Sequence, residues 1–288
     1  MLHPFRSLLY VPASNSRAME KARGLSCDAI ILDLEDAVSG PEKSAARNAC
    51  RQALANRIYG NRPVIIRVNG FDALGASDDL AEDLAAVLGE GPHAILFPKI
   101  RFARDAERAQ LALSASLAPV AVRLWLMIET PQAVLDSAAI AALAAQEGAR
   151  LEAFVVGTND LAKELHLRAT PTRLALLHAL STTVLAARAY GLQVFDGVYG
   201  DIHTPSGFES EAMQGKGLGF DGKTLIHPSQ IDGANRIFSP SPSEVAEACA
   251  IVEAFEAPAN AGRAVLVVDG RMVERLHYDI ALRTLRAR

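Results

Sequence analysis

The chain has 288 residues, half of them apolar, and a net charge of −4. That is enough apolar chain for a full-sized core, as one large domain or two small ones. Lys and Arg are scattered rather than blocked, so neither a nucleic-acid surface nor a basic membrane patch is expected.

Near the amino end, Ser7 to Val11 is an uncharged stretch cut by Pro12, too short for a signal peptide. No apolar run approaches the ~20 residues of a membrane span. The three cysteines, Cys27, Cys50 and Cys249, are far apart and odd in number, which suits reduced thiols packed in the core of a cytoplasmic protein.

Strand-like segments recur along the chain: Ser7–Val11, Ala29–Asp33, Val64–Asn69, Ala94–Pro98, Leu124–Glu129, Phe154–Gly157, Gln193–Asp196 and Lys223–Ile226. Each is short, largely apolar and followed by a helical pattern, as in buried parallel strands. Ser77 before Asp78 and Asp79 reads as a helix cap with an acidic first turn. Leu80, Leu84 and Leu88 then share a face, and Gly89 is placed to close the helix. Pro41 opens the Ala-rich Ser44–Ala55 segment, Pro131 follows Glu129 in the same role, and Thr170-Pro171 opens a Leu174–Tyr190 helix. Repeated strand–helix units predict a (β/α)8 TIM barrel, whose typical length is ~250 residues. A doubly wound open sheet competes, but the Gly-rich dinucleotide fingerprint is missing after the first strand. The barrel is assigned to residues 1–240. Residues 241–288 form an extension: a Ser243–Phe255 helix, a strand over Ala264–Gly270 and a last basic helix ending at Arg288. So small a segment is expected to pack on the barrel or on another subunit.

Chemistry is expected at the carboxyl ends of the strands, where ligands bind in such sheets. Leu124–Ile128 runs into Glu129, and Phe154–Val156 runs into Gly157-Thr158-Asn159-Asp160. Two acids on one rim without a neighbouring His or Cys suit a hard cation, Mg²⁺ before Zn²⁺. Taken singly, Glu129 also reads as a solvated strand-end acid and Asp160 as a helix cap. Alternation puts Ile65, Arg67 and Asn69 on one face. An Arg inside an apolar strand is either paired with a core acid or clamps a substrate carboxylate or oxyanion. Glu35 and Asp36 either orient Arg67 or metal-bound water, or cap the helix at Pro41. Lys99 and His227 are further polar residues on this rim, and His before Pro is more often structural. His166, His178, His203 and His277 lack zinc-site spacing.

The segments Phe5–Pro12, Leu32–Val38, Ile66–Asn69, Leu126–Thr130, Gly157–Leu161 and Phe220–Gln230 together resemble the HpcH/HpaI aldolase and citrate lyase β-subunit (CitE-like) family. The likeness is nearest to its malyl-CoA and citramalyl-CoA lyase branch. It implies a barrel assembled as a homotrimer or hexamer, and Mg²⁺ on Glu129 and Asp160, with Glu129 thereby a substrate contact. It also implies Arg67 on a substrate oxygen, and Phe5 and Arg17 as candidates for binding CoA. In the lyase branch a carboxyl-terminal Asp acts in a neighbouring subunit's site, and Glu274 stands at that position here. The expected activity is Mg²⁺-dependent cleavage of a malyl-, citramalyl- or citryl-CoA type β-hydroxyacyl thioester to an acyl-CoA and an α-keto acid. Arg67 would stabilise charge and Glu274 would move the proton. Alternatives are a malyl-CoA-type thioesterase on the same site, a class II pyruvate aldolase, and a thioester-binding subunit of a citrate lyase complex. The only partners expected are the acyl-CoA or keto-acid substrate and copies of the chain itself.

Overall fold

A computed structural model describes residues 5–72, 77–168, 170 and 172–286. Eight strands occur where the apolar runs lie: β1 Ser7–Pro12, β2 Ala29–Asp33, β3 Val64–Arg67, β4 Ala94–Phe97, β5 Arg123–Ile128, β6 Leu151–Val156, β7 Gln193–Asp196 and β8 Gly222–Leu225. Each pairs in parallel with the next, and β8 pairs with β1, so the sheet closes into a barrel. With helices following the strands, the architecture is a (β/α)8 barrel. Alternation sends Leu8, Ile31, Ile65, Leu96, Trp125, Met127, Val155 and Phe195 inward, where they fill the interior.

The amino-terminal mouth is closed by an aromatic plug. Phe5 is buried with its ring centroid 5.5 Å from Trp125 and 5.8 Å from Phe195, and His93 joins the cluster 5.5 Å from Phe5 and 6.0 Å from Trp125. The carboxyl-terminal mouth opens as a cavity with acidic and basic side chains in its walls.

Local signals place most helix ends. Ser77 caps the helix Asp78–Val87, its side chain accepting from the Leu80 amide at 3.1 Å. That helix does not stop at Gly89. It tightens into a 3-10 turn, Leu88–Glu90, and Gly91, with φ of 65°, closes it in the left-handed region. Pro41 lies in a 3-10 turn, Gly40–Glu42, before the helix Lys43–Ala55. Thr130 caps the helix that Pro131 opens. Pro171 lies outside the described residues, and the helix expected after it consists of a 3-10 turn, Leu174–Leu176, followed by Leu177–Ala189.

The chain divides into two compact units between Asn235 and Arg236, within the helix Ile231–Phe238 rather than after residue 240. The second unit begins its own packing with the helix Pro242–Glu256, which Ser241 and Glu244 cap reciprocally. The expected single strand is a hairpin. β9 Val265–Val268 pairs antiparallel with β10 Arg271–Glu274 through Asp269 and Gly270, both at positive φ. Asp-Gly between two apolar runs is the sequence signature of such a turn. The last helix is Arg275–Arg286, and the expected end at Arg288 lies outside the described residues. Ile251, Phe255, Leu266, Val273 and Ala281 form a small core within this unit. Among the described residues, no helix is long and apolar enough to cross a membrane.

Candidate active site

Strand register assembles the polar rim. Asp33 ends β2 directly opposite Arg67 at the end of β3. The Arg67 guanidinium grips Asp33 with both edges of the carboxylate, Nε to Oδ1 at 2.8 Å and Nη2 to Oδ2. Its Nη1 lies 2.9 Å from Glu35 Oε2. The internal ion pair of the sequence reading therefore exists, and it is double. A guanidinium has more N–H groups than these contacts use, and Arg67 also lines the central cavity. Glu35 thus orients Arg67, while Ser39, not Glu35 or Asp36, precedes the turn containing Pro41. Lys99 bridges Glu35 and Asp36, reaching Asp36 Oδ1 at 3.0 Å.

Asn69 does not share the inward face with Arg67, because β3 ends at Arg67 and the chain turns outward. Asp83 of the helix Asp78–Val87 accepts from both the Asn69 amide, at 2.8 Å, and its side-chain nitrogen, at 2.7 Å. Arg47 Nε in turn donates to Asp83 at 2.7 Å. Asn69 also donates to the Leu34 carbonyl at 3.1 Å. These bonds tie the ends of β2 and β3 together and fix the Asp33–Glu35–Arg67 group from behind.

Glu129 follows β5 and is 1% exposed. Its carboxylate accepts from the Lys99 backbone amide. Lys99 itself has a φ of 55°, a left-handed conformation unusual for a long side chain, and it turns that amide onto the acid. Burial, with repulsion from Glu35 and Asp160, outweighs the Lys99 amide and the Arg67 charge and pushes the Glu129 carboxyl up to about 8. Asp160 occupies the first turn of the helix Thr158–Glu164, whose N-cap is Gly157, so it is not itself the cap. A Cβ on Gly157 would collide with Glu129 Oε2 and Cβ, so glycine lets the strand end lie against this acid. Gly157→Ala is expected to displace Glu129 and lower activity at least tenfold while the protein still folds, checked by steady-state rates beside a thermal melt.

A cavity of about 320 Å³ opens at this mouth, with Tyr10, Asp33, Asp36, Arg67, Asp160 and Thr224 among its walls. No set of three or more His, Cys, Asp or Glu side chains converges as a metal site among the described residues. Glu129 and Asp160 fit a cation that keeps several waters and takes few protein ligands, which describes Mg²⁺ and argues against zinc. A buried acid repelled by a second one is also the kind of group that a divalent cation relieves.

The remaining expected residues fall elsewhere. Phe5 belongs to the plug at the opposite mouth, because it precedes β1, so it does not contact a ligand at this rim. Arg17 is exposed in the first turn of the helix Ser16–Ala22 and is not a cavity wall. His227 holds its own turn, with Nδ1 2.8 Å from Ser229 Oγ. Glu274 ends β10 in the second unit, its amide donating to His277 Nδ1 at 2.9 Å. Two features escaped the sequence reading. Tyr10, on the inward face of β1, stands in the cavity, and its alternation with Leu8 was the available signal. Lys223 and Asp196, both fully buried and 2.9 Å apart, pair with Glu211 and Arg173. This group anchors the helix Pro205–Leu218 and lies outside the walls of the Tyr10 and Arg67 cavity, though Arg173 and Glu211 line a neighbouring one.

A family model described as HpcH/HpaI aldolase/citrate lyase matches residues 6–228. The chain belongs to that family. A (3S)-malyl-CoA thioesterase of Cereibacter sphaeroides is 48% identical over 283 residues, covering 98% of this chain and 94% of the relative. The citrate lyase subunit beta of Escherichia coli is 34% identical over 274 residues, covering 93% and 88%. Among solved structures, CitE of Mycobacterium tuberculosis in complex with magnesium, acetoacetate and coenzyme A superposes with a TM-score of 0.74 at 28% identity. That match covers 98% of this chain and 97% of that one.

Proposed function

We propose that this protein is a Mg²⁺-dependent hydrolase of a malyl-type CoA thioester, with carbon–carbon cleavage of the same substrate as the second reading. The observation that carries it is the 48% identity, over nearly all of both chains, to a (3S)-malyl-CoA thioesterase. Glu129 and Asp160 would hold the cation, which when bound supplies Lewis-acid polarisation of substrate oxygens. Arg67, aimed by Asp33 and Glu35, faces the oxygen that gains charge. In hydrolysis, the oxygen of water adds to the thioester carbonyl carbon, the C–S bond breaks, and the thiol leaves with a proton. In cleavage, the hydroxyl loses its proton, the C–C bond breaks to a keto acid, and the enolate carbon takes a proton from an acid. The 34% identity to a citrate lyase subunit supports this second outcome. Malyl-CoA with Mg²⁺ separates the two. Hydrolysis yields free thiol and malate without glyoxylate, whereas glyoxylate with acetyl-CoA would overturn hydrolysis in favour of the lyase.

We further read Glu274 as completing the site of a neighbouring copy in a trimer or hexamer. Val267 and Met272 are cross-strand partners on the hairpin, and both are exposed, as are Leu276 and Ile280 on the last helix. Together they offer apolar surface to a second copy. Glu274→Ala subunits reassembled with Asp160→Asn subunits are expected to regain partial activity, because some mixed sites combine an intact metal pair with an intact Glu274. Confirmed subunit exchange without regained activity would confine Glu274 to its own subunit or to no role. The free Cys27, Cys50 and Cys249 suit a cytoplasmic location.

A further inference from the structure

Tyr10 is the residue of the cavity whose position calls for a ligand. Its hydroxyl is buried and has no hydrogen-bond partner among the described residues. Among the surrounding acids, Asp33 accepts hydrogen bonds from Arg67 and the Glu35 amide, and Glu129 accepts from the Lys99 amide. Glu35, whose oxygens lack a hydrogen bond, is held by ion pairs with Arg67 and Lys99. The Arg67 guanidinium lies over the Tyr10 ring, 5.1 Å from its centroid, and both residues line the cavity. A buried hydroxyl without a partner is costly and uncommon in folded proteins, and in a cavity wall the missing partner is a water or an atom of a ligand that displaces it.

We propose that the Tyr10 hydroxyl donates a hydrogen bond to an oxygen of the bound acyl group, beside Arg67, making it a substrate-binding residue for the hydroxy-acid end of the thioester. The proposal rests on the malyl-type reading given above. Burial, with nearby Asp33, Glu129 and Glu35, outweighs the opposing Arg67 charge and raises the phenol above its ordinary range, so it remains a donor at neutral pH. The neighbouring guanidinium supplies charge and the phenol supplies direction, which together favour a carboxylate or polarised carbonyl oxygen over an apolar group.

Tyr10→Phe keeps the ring and the cavity shape and removes only the hydroxyl. Three quantities are measured on the full chain beside wild type: the Kd for L-malate with Mg²⁺, kcat/KM on malyl-CoA, and the Tm without ligand. Malate affinity and kcat/KM are expected to fall by on the order of 10- to 100-fold. The ligand-free Tm is expected to stay level or rise, because an unpartnered buried hydroxyl is replaced by hydrogen. Unchanged malate affinity and kcat/KM would overturn the proposal. So would a lowered Tm, which would show that the hydroxyl has a structural partner in the protein. Wild-type protein that neither binds malate nor turns over malyl-CoA would overturn the functional reading itself, and this inference with it.

Discussion

Glu129→Gln is expected to abolish turnover and metal binding together while leaving the fold intact. The substitution keeps the shape of a side chain that is 1% exposed and removes the charge a hard cation requires. Glutamine retains an oxygen for the Lys99 amide, so the bond that orients the position survives. Without metal, the variant should melt no lower than wild type, because a buried, repelled acid has become neutral. With saturating Mg²⁺, wild type should gain thermal stability and the variant should not, since only a site that binds the ion is stabilised by it. Asp160→Asn should behave in the same way at the partly exposed end of the pair. Full activity in excess chelator would remove the metal from the mechanism altogether.

Arg67→Lys should cost about 2–4 kcal/mol in transition-state stabilisation, roughly 30- to 1,000-fold in kcat/KM. A lysine ammonium cannot grip both oxygens of Asp33, meet Glu35 and still present an N–H to the cavity. The same substitution leaves buried carboxylates short of partners, so Tm should fall as well. A Lys variant with lowered Tm but near-native kcat/KM would make Arg67 a structural residue.

Much of the barrel was legible because each strand is a short apolar run ended by a polar residue, and that pattern survives without tertiary information. Alternation on β3 and β5 correctly turned Arg67 and Glu129 inward. It failed at Asn69, because strand periodicity stops with the strand, and the backbone beyond Arg67 answers to Asp83 on a following helix. Phe5 is a CoA candidate only through the family resemblance, and its own sequence position points elsewhere: a residue before a parallel strand lies at the opposite end from one after it. Tyr10 was passed over because an aromatic on an apolar strand reads as core, and only the three-dimensional count of hydrogen bonds shows its hydroxyl unspent. The hairpin at Asp269-Gly270 was missed although its turn signature was present, because Arg271–Glu274 is polar enough to read as the start of a helix.

The plug of Phe5, Trp125 and Phe195 makes the barrel a blind alley. On the proposed reading, the thioester and the solvent that hydrolyses it would share the carboxyl-terminal mouth, because the plug fills the opposite end. The fate of the substrate is then a matter of traffic. A tail that stops up the doorway starves the chemistry of water and leaves only bond cleavage within the substrate, whereas one that leaves a gap admits hydrolysis. On that reading, the fit of the substrate tail at the rim would bear on the choice of reaction along with the charged groups beneath it.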